Sequence, residues 1–226
     1  LLQPIREQLY LNCPIEGVWR HCDHVVVKPV DRPAELFDEV VLATHADQSL
    51  RILQDADDLE RELLRSFPYQ NNEAVLHTDV RLLPKNRRAR ASWNYRVADD
   101  PQRGATVTYD LSRLQGHESP EPILLTLNDK EAIDPAKILR QFGYQHPAYR
   151  LESATAQQRH GEVIGRRRTH FCGAYWGFGF HEDGVNSALR VAQHFGIGLE
   201  ACTAASTKGS SHISAASPSP TTFATA

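Results

Sequence analysis

The run FCGAYWGFGFHEDGVNSALRVAQHFG, from Phe171 to Gly196, constrains this chain more than any other. It reads as the end of a strand, a loop dense in glycine, and then a helix from about Val185 to Phe195, with Val185, Leu189, Ala192 and Phe195 turned inward and Gly196 and Gly198 ending it. A strand that runs through glycines into a helix start presents backbone N–H groups and a positive dipole end, which suits an anion or an electron-rich ring. Gly173, Gly177, Gly179 and Gly184 would let a planar ligand come close to the backbone. The same residues also satisfy a plainer reading, a glycine-rich turn packed by Tyr175, Trp176, Phe178 and Phe180.

The rest of the chain is mixed. Short apolar stretches at Leu9 to Leu11 and His24 to Val30 read as strands. Phe37 to Thr44, FDEVVLAT, is nearly continuous in apolar residues, as expected of a strand buried on both faces of a parallel sheet. Leu50, Leu53, Leu59, Leu63 and Leu64 then recur at helical spacing among charges and predict one or two amphipathic helices. Strands are expected at Glu73 to Thr78, Arg90 to Tyr95, Thr106 to Leu111 and Ile123 to Leu127. Beyond Leu199 the composition falls to Ala, Ser, Thr, Pro and Gly, and a disordered tail is expected over 199–226.

Composition narrows the function. The formal net charge is -3, with 23% charged residues, so no basic excess marks a dedicated nucleic-acid binder. The clusters Lys85 to Arg90 and Arg166 to Arg168 read as solvated loops. Cys13, Cys22, Cys172 and Cys202 form no CxxC pair and suit free thiols in a reducing, cytoplasmic setting. No apolar run approaches the roughly 20 residues of a membrane span. His181, Glu182 and Asp183 are consecutive and cannot easily converge on one ion, so no metal site is expected; an acidic residue there is better placed to bind the helix-start amides. There is no GxSxG elbow, no P-loop and no GxGxxG after an early strand.

With those motifs on the page, the Phe171 to Gly196 run resembles the closing motif of flavin-containing amine oxidoreductases. More narrowly, GAYWGFGFHEDG is similar to a subgroup of predicted NAD/FAD-binding proteins, some of them joined to cyclopropane fatty-acid synthases. VVLATHADQSL from Val40, YQNNEAVLHTD from Tyr69, ASWNY from Ala91, VTYDLSRLQG from Val107, LLTLN from Leu124 and HPAY from His146 fit the same subgroup. The resemblance implies an α/β fold: a partial, Rossmann-like FAD-binding domain from 1–50 and 161–198, with an inserted α+β substrate domain over 51–160. Because the chain contains no methionine, even at position 1, and lacks the GxGxxG unit, we expect a carboxy-terminal portion of such an enzyme.

The resemblance also implies a cofactor, FAD, and the residues near it. Gly173 and Ala174 would approach its ribityl or pyrophosphate region, and Gly184, Val185 and Asn186 the pyrimidine edge of the ring. Ala43 and Thr44 would close the turn after the strand beside the cofactor, and Ile15 would meet the adenine through its backbone. Ala174 stands where many amine oxidases carry an acidic residue, which removes one expected hydroxyl contact. His45 after the strand end suits either a place near the flavin or a turn cap. Trp93, Tyr95 and Tyr109 suit either a pocket lining or buried packing. The implied partner is a small molecule, lipid or isoprenoid by analogy, and the rival function is a non-catalytic interaction module. No residue stands out as a general base.

Overall fold

The computed structural model describes residues 2–97 and 105–199, so the expected tail beyond Leu199 lies outside the described residues. The chain divides into two compact units, Leu1–Pro68 with Pro147–Ala226, and Tyr69–His146. Elements are numbered along the chain. Among the described residues no helix is long and apolar enough to cross a membrane.

The first unit opens with a 3-10 turn, Gln3–Gln8, seeded by Pro4. The expected strand at Leu9 to Leu11 does not form, because the proline-led turn leaves it only a single bridging residue at Tyr10. Strands β1 (Ile15–Arg20), β2 (Val25–Pro29) and β3 (Glu35–Phe37) make an antiparallel sheet in chain order. In β2 alternation buries Val25 and Val27. β1 is absent from the sequence reading because Gly17 interrupts it. A Cβ there would lie 2.6 Å from the Trp19 ring, so the indole lies directly against the glycine.

The FDEVVLAT segment is not one strand. It breaks at Asp38 and Glu39, leaving β3 in the antiparallel sheet and β4 (Val40–Leu42) parallel to β10 (Thr169–Phe171). Polar contacts enforce the break: Arg168 donates to the Asp38 carbonyl, and the Glu39 carboxylate turns to Nε2 of His170. Only Leu42 of β4 is fully buried, which corrects the expectation of burial on both faces.

Helices α1 (Ala46–Ile52) and α2 (Asp58–Arg65) follow as the leucine spacing predicts. α2 starts in a capping box: the Asp57 side chain accepts from the Glu60 N–H at 3.0 Å, and the Glu60 side chain accepts from the Asp57 N–H at 2.9 Å. It buries Leu63 and Leu64. The same Glu60 binds Arg20 of β1, whose guanidinium also reaches Asp55 and Thr169, so one buried cation ties together β1, α2 and β10. α4 (Leu151–Gln158) packs on α2, and Ser153 Oγ donates to the Ser66 carbonyl at 2.6 Å. α1, α2 and α4 therefore belong to the first unit, and the sheet unit, Tyr69–His146, is narrower than 51–160. α5 (His181–His194) begins four residues before the expected start and buries Ser187 and Val191, while Val185 and Phe195 are exposed.

The second unit is a five-stranded sheet in the order β6-β7-β8-β5-β9, formed by β5 (Tyr69–His77), β6 (Trp93–Val97), β7 (Ala105–Asp110), β8 (Leu124–Leu127) and β9 (Ile138–Pro147). β9 is missing from the sequence reading, where Gly143 and Pro147 mask it. A short helix, α3 (Leu111–Gln115), is capped by Asp110 and ended by Gly116 at φ +68°. One face of the sheet is covered by the turns around Leu82 and Ile133, which pack on Val75. Beside the buried Val75 and Leu124, that face also carries polar side chains. Thr108 and Thr126 are hydrogen-bonded at 2.8 Å, His77 Nε2 meets Thr126 at 2.8 Å, and all three are buried. Asp79, held by the Arg81 guanidinium and by the Asp134 N–H, closes this network with a carboxyl far below the usual range.

Candidate functional site

The site grows out of the parallel pair. Thr169, His170 and Phe171 stand opposite Val40, Val41 and Leu42, and the Cys172 N–H donates to the Leu42 carbonyl at 3.1 Å. Both strands therefore leave the sheet at the same end, where ligands of open α/β folds settle. β4 runs through exposed Ala43 and half-buried Thr44 into α1. The Thr44 hydroxyl is hydrogen-bonded to Ser49 Oγ at 2.9 Å, and His45 is the N-cap of α1, with its N–H donating to the Gln48 side chain. His45 thus takes the turn-cap role.

β10 runs into Gly173 and a single 3-10 turn, Ala174–Trp176. The Tyr175 ring folds back against Gly173, where a Cβ would come within 2.6 Å of it. The Gly173 N–H donates to Ser187 Oγ at 2.8 Å, and that hydroxyl donates to the Gly184 carbonyl at 2.8 Å. A Cβ on Gly184 would lie 3.8 Å from the Ala174 nitrogen. Gly173, Ala174 and Gly184 are therefore gathered around Ser187, a buried residue that the sequence reading missed.

Asp183 explains the rest of the loop. Its carboxylate accepts from the Phe178 N–H at 3.0 Å and from the Phe180 N–H at 2.9 Å, fixing the entry to α5. Gly177 makes room for it, since a Cβ there would lie 2.3 Å from Asp183 Oδ1. Gly179 sits at φ +89°, a conformation that favours glycine, beside the Tyr149 hydroxyl. Burial, with a further push from the Asp183 charge, raises the Tyr149 phenol to about 12.

The loop is backed by a packed layer. Tyr175 and Trp176 lie against Phe67 with ring centroids 5.0 and 5.1 Å away. His160 stacks on Trp176 at 4.1 Å and donates from Nε2 to the Phe171 carbonyl at 2.7 Å. Gln157 of α4 donates to the Tyr175 carbonyl at 3.0 Å and to the Gly177 carbonyl. Nothing in the polar stretch TAQQRHGE signals these roles, which depend on what the fold brings near.

The four aromatics separate into two pairs. Tyr175 and Trp176 are buried, whereas Phe178 is 78% and Phe180 53% exposed. An apolar rim thus stands open beside the first turn of α5, whose amides at His181 and Glu182 have no partner within the helix. Val185 and Asn186 lie on the exposed side of that helix, past its first turn. Ile15 is elsewhere: it begins β1 and lines a small cleft with Tyr10, Val27 and Phe37.

Among the described residues, Glu39, His170 and His194 bring three potential metal-ligand atoms within 4.8 Å of one another. His170 Nδ1 accepts the Gly165 N–H at 3.1 Å, so Nε2 carries the proton that it gives to Glu39 and has no lone pair for an ion.

No family model matches the chain, and no curated protein sequence does. Solved structures do. A CLA-producing fatty acid isomerase from P. acnes superposes with a TM-score of 0.57 at 17% identity, over 82% of this chain and 48% of that one. A putrescine oxidase, solved bound to putrescine, gives 0.54 at 12% identity over 82% and 49%. Cyclohexylamine oxidase from Brevibacterium oxydans IH-35A gives 0.50 at 13% identity over 87% and 51%. The chain shares their fold over that part. It spans about half the length of these structures. At such identities the likeness is one of fold, and that fold is a mixed helix-and-sheet one. Among the described residues, parallel pairing of named strands is confined to β4 with β10.

Proposed function

We propose that this chain forms part of a flavin-dependent oxidoreductase, with FAD held at the carboxyl ends of β4 and β10. The observation that carries the reading is the gathering of Gly173, Ala174 and Gly184 around Ser187, beside a helix start rimmed by exposed aromatics, on an amine-oxidase fold. The donor set fits the group. Glycine backbone at Gly173 and small Ala174 allow close approach, and the first-turn amides of α5 face the kind of charge that a reduced flavin carries. FAD would supply the acceptor for a hydride equivalent from the substrate. The chain's own part is to orient the ring, to offer apolar contact through Phe178 and Phe180, and to stabilise negative charge near His181 and Glu182. Val185 and Asn186 contribute from the second turn, Ala43 and Thr44 from the neighbouring strand end, and Ile15 at the adenine end. The GAYWGFGFHEDG motif is what ties this reading to the subgroup that includes partners of cyclopropane fatty-acid synthases.

Gly184 gives a graded test. Gly184→Ala places its Cβ in ordinary van der Waals contact and removes a helix-weakening glycine, so it should raise stability by up to about 1 kcal/mol and leave FAD binding intact. Gly184→Leu should fill the space beside the Ala174 amide and weaken FAD binding at least tenfold, read from the visible flavin bands and from quenching of flavin fluorescence. Absence of flavin bands at saturating FAD, in this chain and in one extended upstream, would favour a non-catalytic interaction module instead.

A further inference from the structure

The turn that joins β1 to β2 is HCDH, His21 to His24, and each of its four side chains carries a metal-ligand atom. Consecutive residues seldom converge on one ion, but a hairpin folds the first and last residues of its turn face to face. Arg20 pairs with Val25, and the His21 N–H donates to the His24 carbonyl at 2.8 Å, which sets the two histidines opposite one another. Their rings stack with centroids 4.5 Å apart and planes 19° from parallel. Arg168 fixes the turn by donating to the Cys22 carbonyl at 3.1 Å.

Proton placement separates this turn from the cluster of Glu39, His170 and His194. The Asp23 carboxylate can only accept, so His24 donates to it from Nδ1 at 2.7 Å and keeps the lone pair of Nε2. The same contact holds the Asp23 carboxyl below its ordinary range. His21 makes no side-chain hydrogen bond among the described residues, so it too can offer a nitrogen. The Cys22 thiol, free and exposed, lies 3.7 Å from the Asp23 Oδ1 that His24 also binds, which puts the sulfur on the side of His24. Two imidazoles and a thiolate are the borderline-soft donors that zinc takes. Opposed Cβ atoms in a hairpin stand about 5 Å apart, a span that two imidazoles on one ion bridge by turning their side-chain torsions. We propose that the β1–β2 turn binds one zinc ion through His21, Cys22 and His24, with Asp23 orienting His24 and water filling the fourth position. On binding, the Cys22 thiol releases its proton to solvent and its sulfur gives the electron pair to the metal, with no change of oxidation state. The site does not depend on the flavin reading.

The test uses the whole chain, stripped with EDTA and free of FAD, titrated with Co2+ as a coloured stand-in and then with Zn2+. One equivalent of Co2+ is expected to give a sulfur-to-metal charge-transfer band with the visible bands of a tetrahedral site, and one equivalent of Zn2+ to erase both. Cys22→Ser should abolish the charge-transfer band. His21→Ala and His24→Ala should each weaken Zn2+ binding at least tenfold, measured by competition with a chromophoric chelator, and Asp23→Ala should weaken it by roughly tenfold through loss of the oriented imidazole. His194→Gln should leave the affinity unchanged. All four turn residues are at least partly exposed, and unchanged melting curves of the metal-free variants would show that they fold; Cys22→Ser, the smallest change, suffices if another variant does not. A charge-transfer band that survives in Cys22→Ser would assign the sulfur to another thiol and overturn the proposal. So would full Zn2+ affinity in His21→Ala or His24→Ala, or binding lost only in His194→Gln, which places the ion at Glu39 and His170.

Discussion

Glu60→Leu is expected to destabilise the first unit by about 3 kcal/mol or more, measured as a drop in the urea midpoint at unchanged slope. Arg20 is fully buried at its side chain, and so is Glu60. Burial pulls the guanidinium pKa down, while hydrogen bonds and charge from Glu60 and Asp55 more than offset that, so Arg20 ends above the ordinary arginine value. Removing Glu60 leaves that cation with only Asp55 and the weaker Thr169 contact. It also removes the carboxylate that accepts the Asp57 N–H, so the α2 capping box fails with it. The double variant Arg20→Met with Glu60→Leu should recover most of the loss, because a well-packed apolar pair avoids the desolvation of both ions. A single-variant cost below 1 kcal/mol would mean that water reaches the pair.

The second large effect is acid lability centred on His160. The ring is 1% exposed, and burial pushes its pKa down to about 4, the Phe171 carbonyl opposing and the Arg190 charge adding slightly. The unfolded chain titrates near the ordinary histidine value of about 6.5, so the unfolded state takes up the proton first. Stability should therefore be level above about pH 6.5, fall between there and about pH 4, and level off below, a total of about 3 kcal/mol from this one group. His160→Gln keeps a donor for the Phe171 carbonyl but cannot titrate. Plotting the stability difference between the two proteins against pH isolates the histidine. A difference that stays constant from pH 7 to 4 would remove His160 as the cause. Because His160 stacks on Trp176 directly behind the glycine loop, the same protonation should loosen the site, seen as a shift in tryptophan fluorescence over that pH range.

Both effects arise from residues that contribute little to the sequence pattern. Asp57 and Glu60 stand three apart, a readable helix-start signature, yet the role of Glu60 as the buried partner of Arg20 depends on β1, a strand that Gly17 hides. His160 is a single histidine among glutamines and an arginine. Its meaning comes entirely from Phe171 and Trp176, which the turn of the chain brings against it.

Local chemistry alone determined a good deal. Periodicity located α1, α2 and most strands of the central sheet, because alternation and helical spacing are properties of neighbouring residues. The glycines of the Phe171 to Gly196 run marked where backbone must come close to something, and the structure supplies the neighbours: the Tyr175 ring at Gly173, Asp183 at Gly177 and the Tyr149 hydroxyl at Gly179. What only the tertiary structure decided are the features that depend on distant partners. The strand from Phe37 to Thr44 is cut in two because Arg168 and His170, far along the chain, capture the backbone and side chain of Asp38 and Glu39. The start of α5 moves to His181 because Asp183 binds the amides ahead of it. The five-stranded sheet can bury Thr108, Thr126 and His77 because they satisfy one another across three strands. An alternating pattern separates the two faces of a strand, and only the hydrogen bonds between strands determine which face can afford burial.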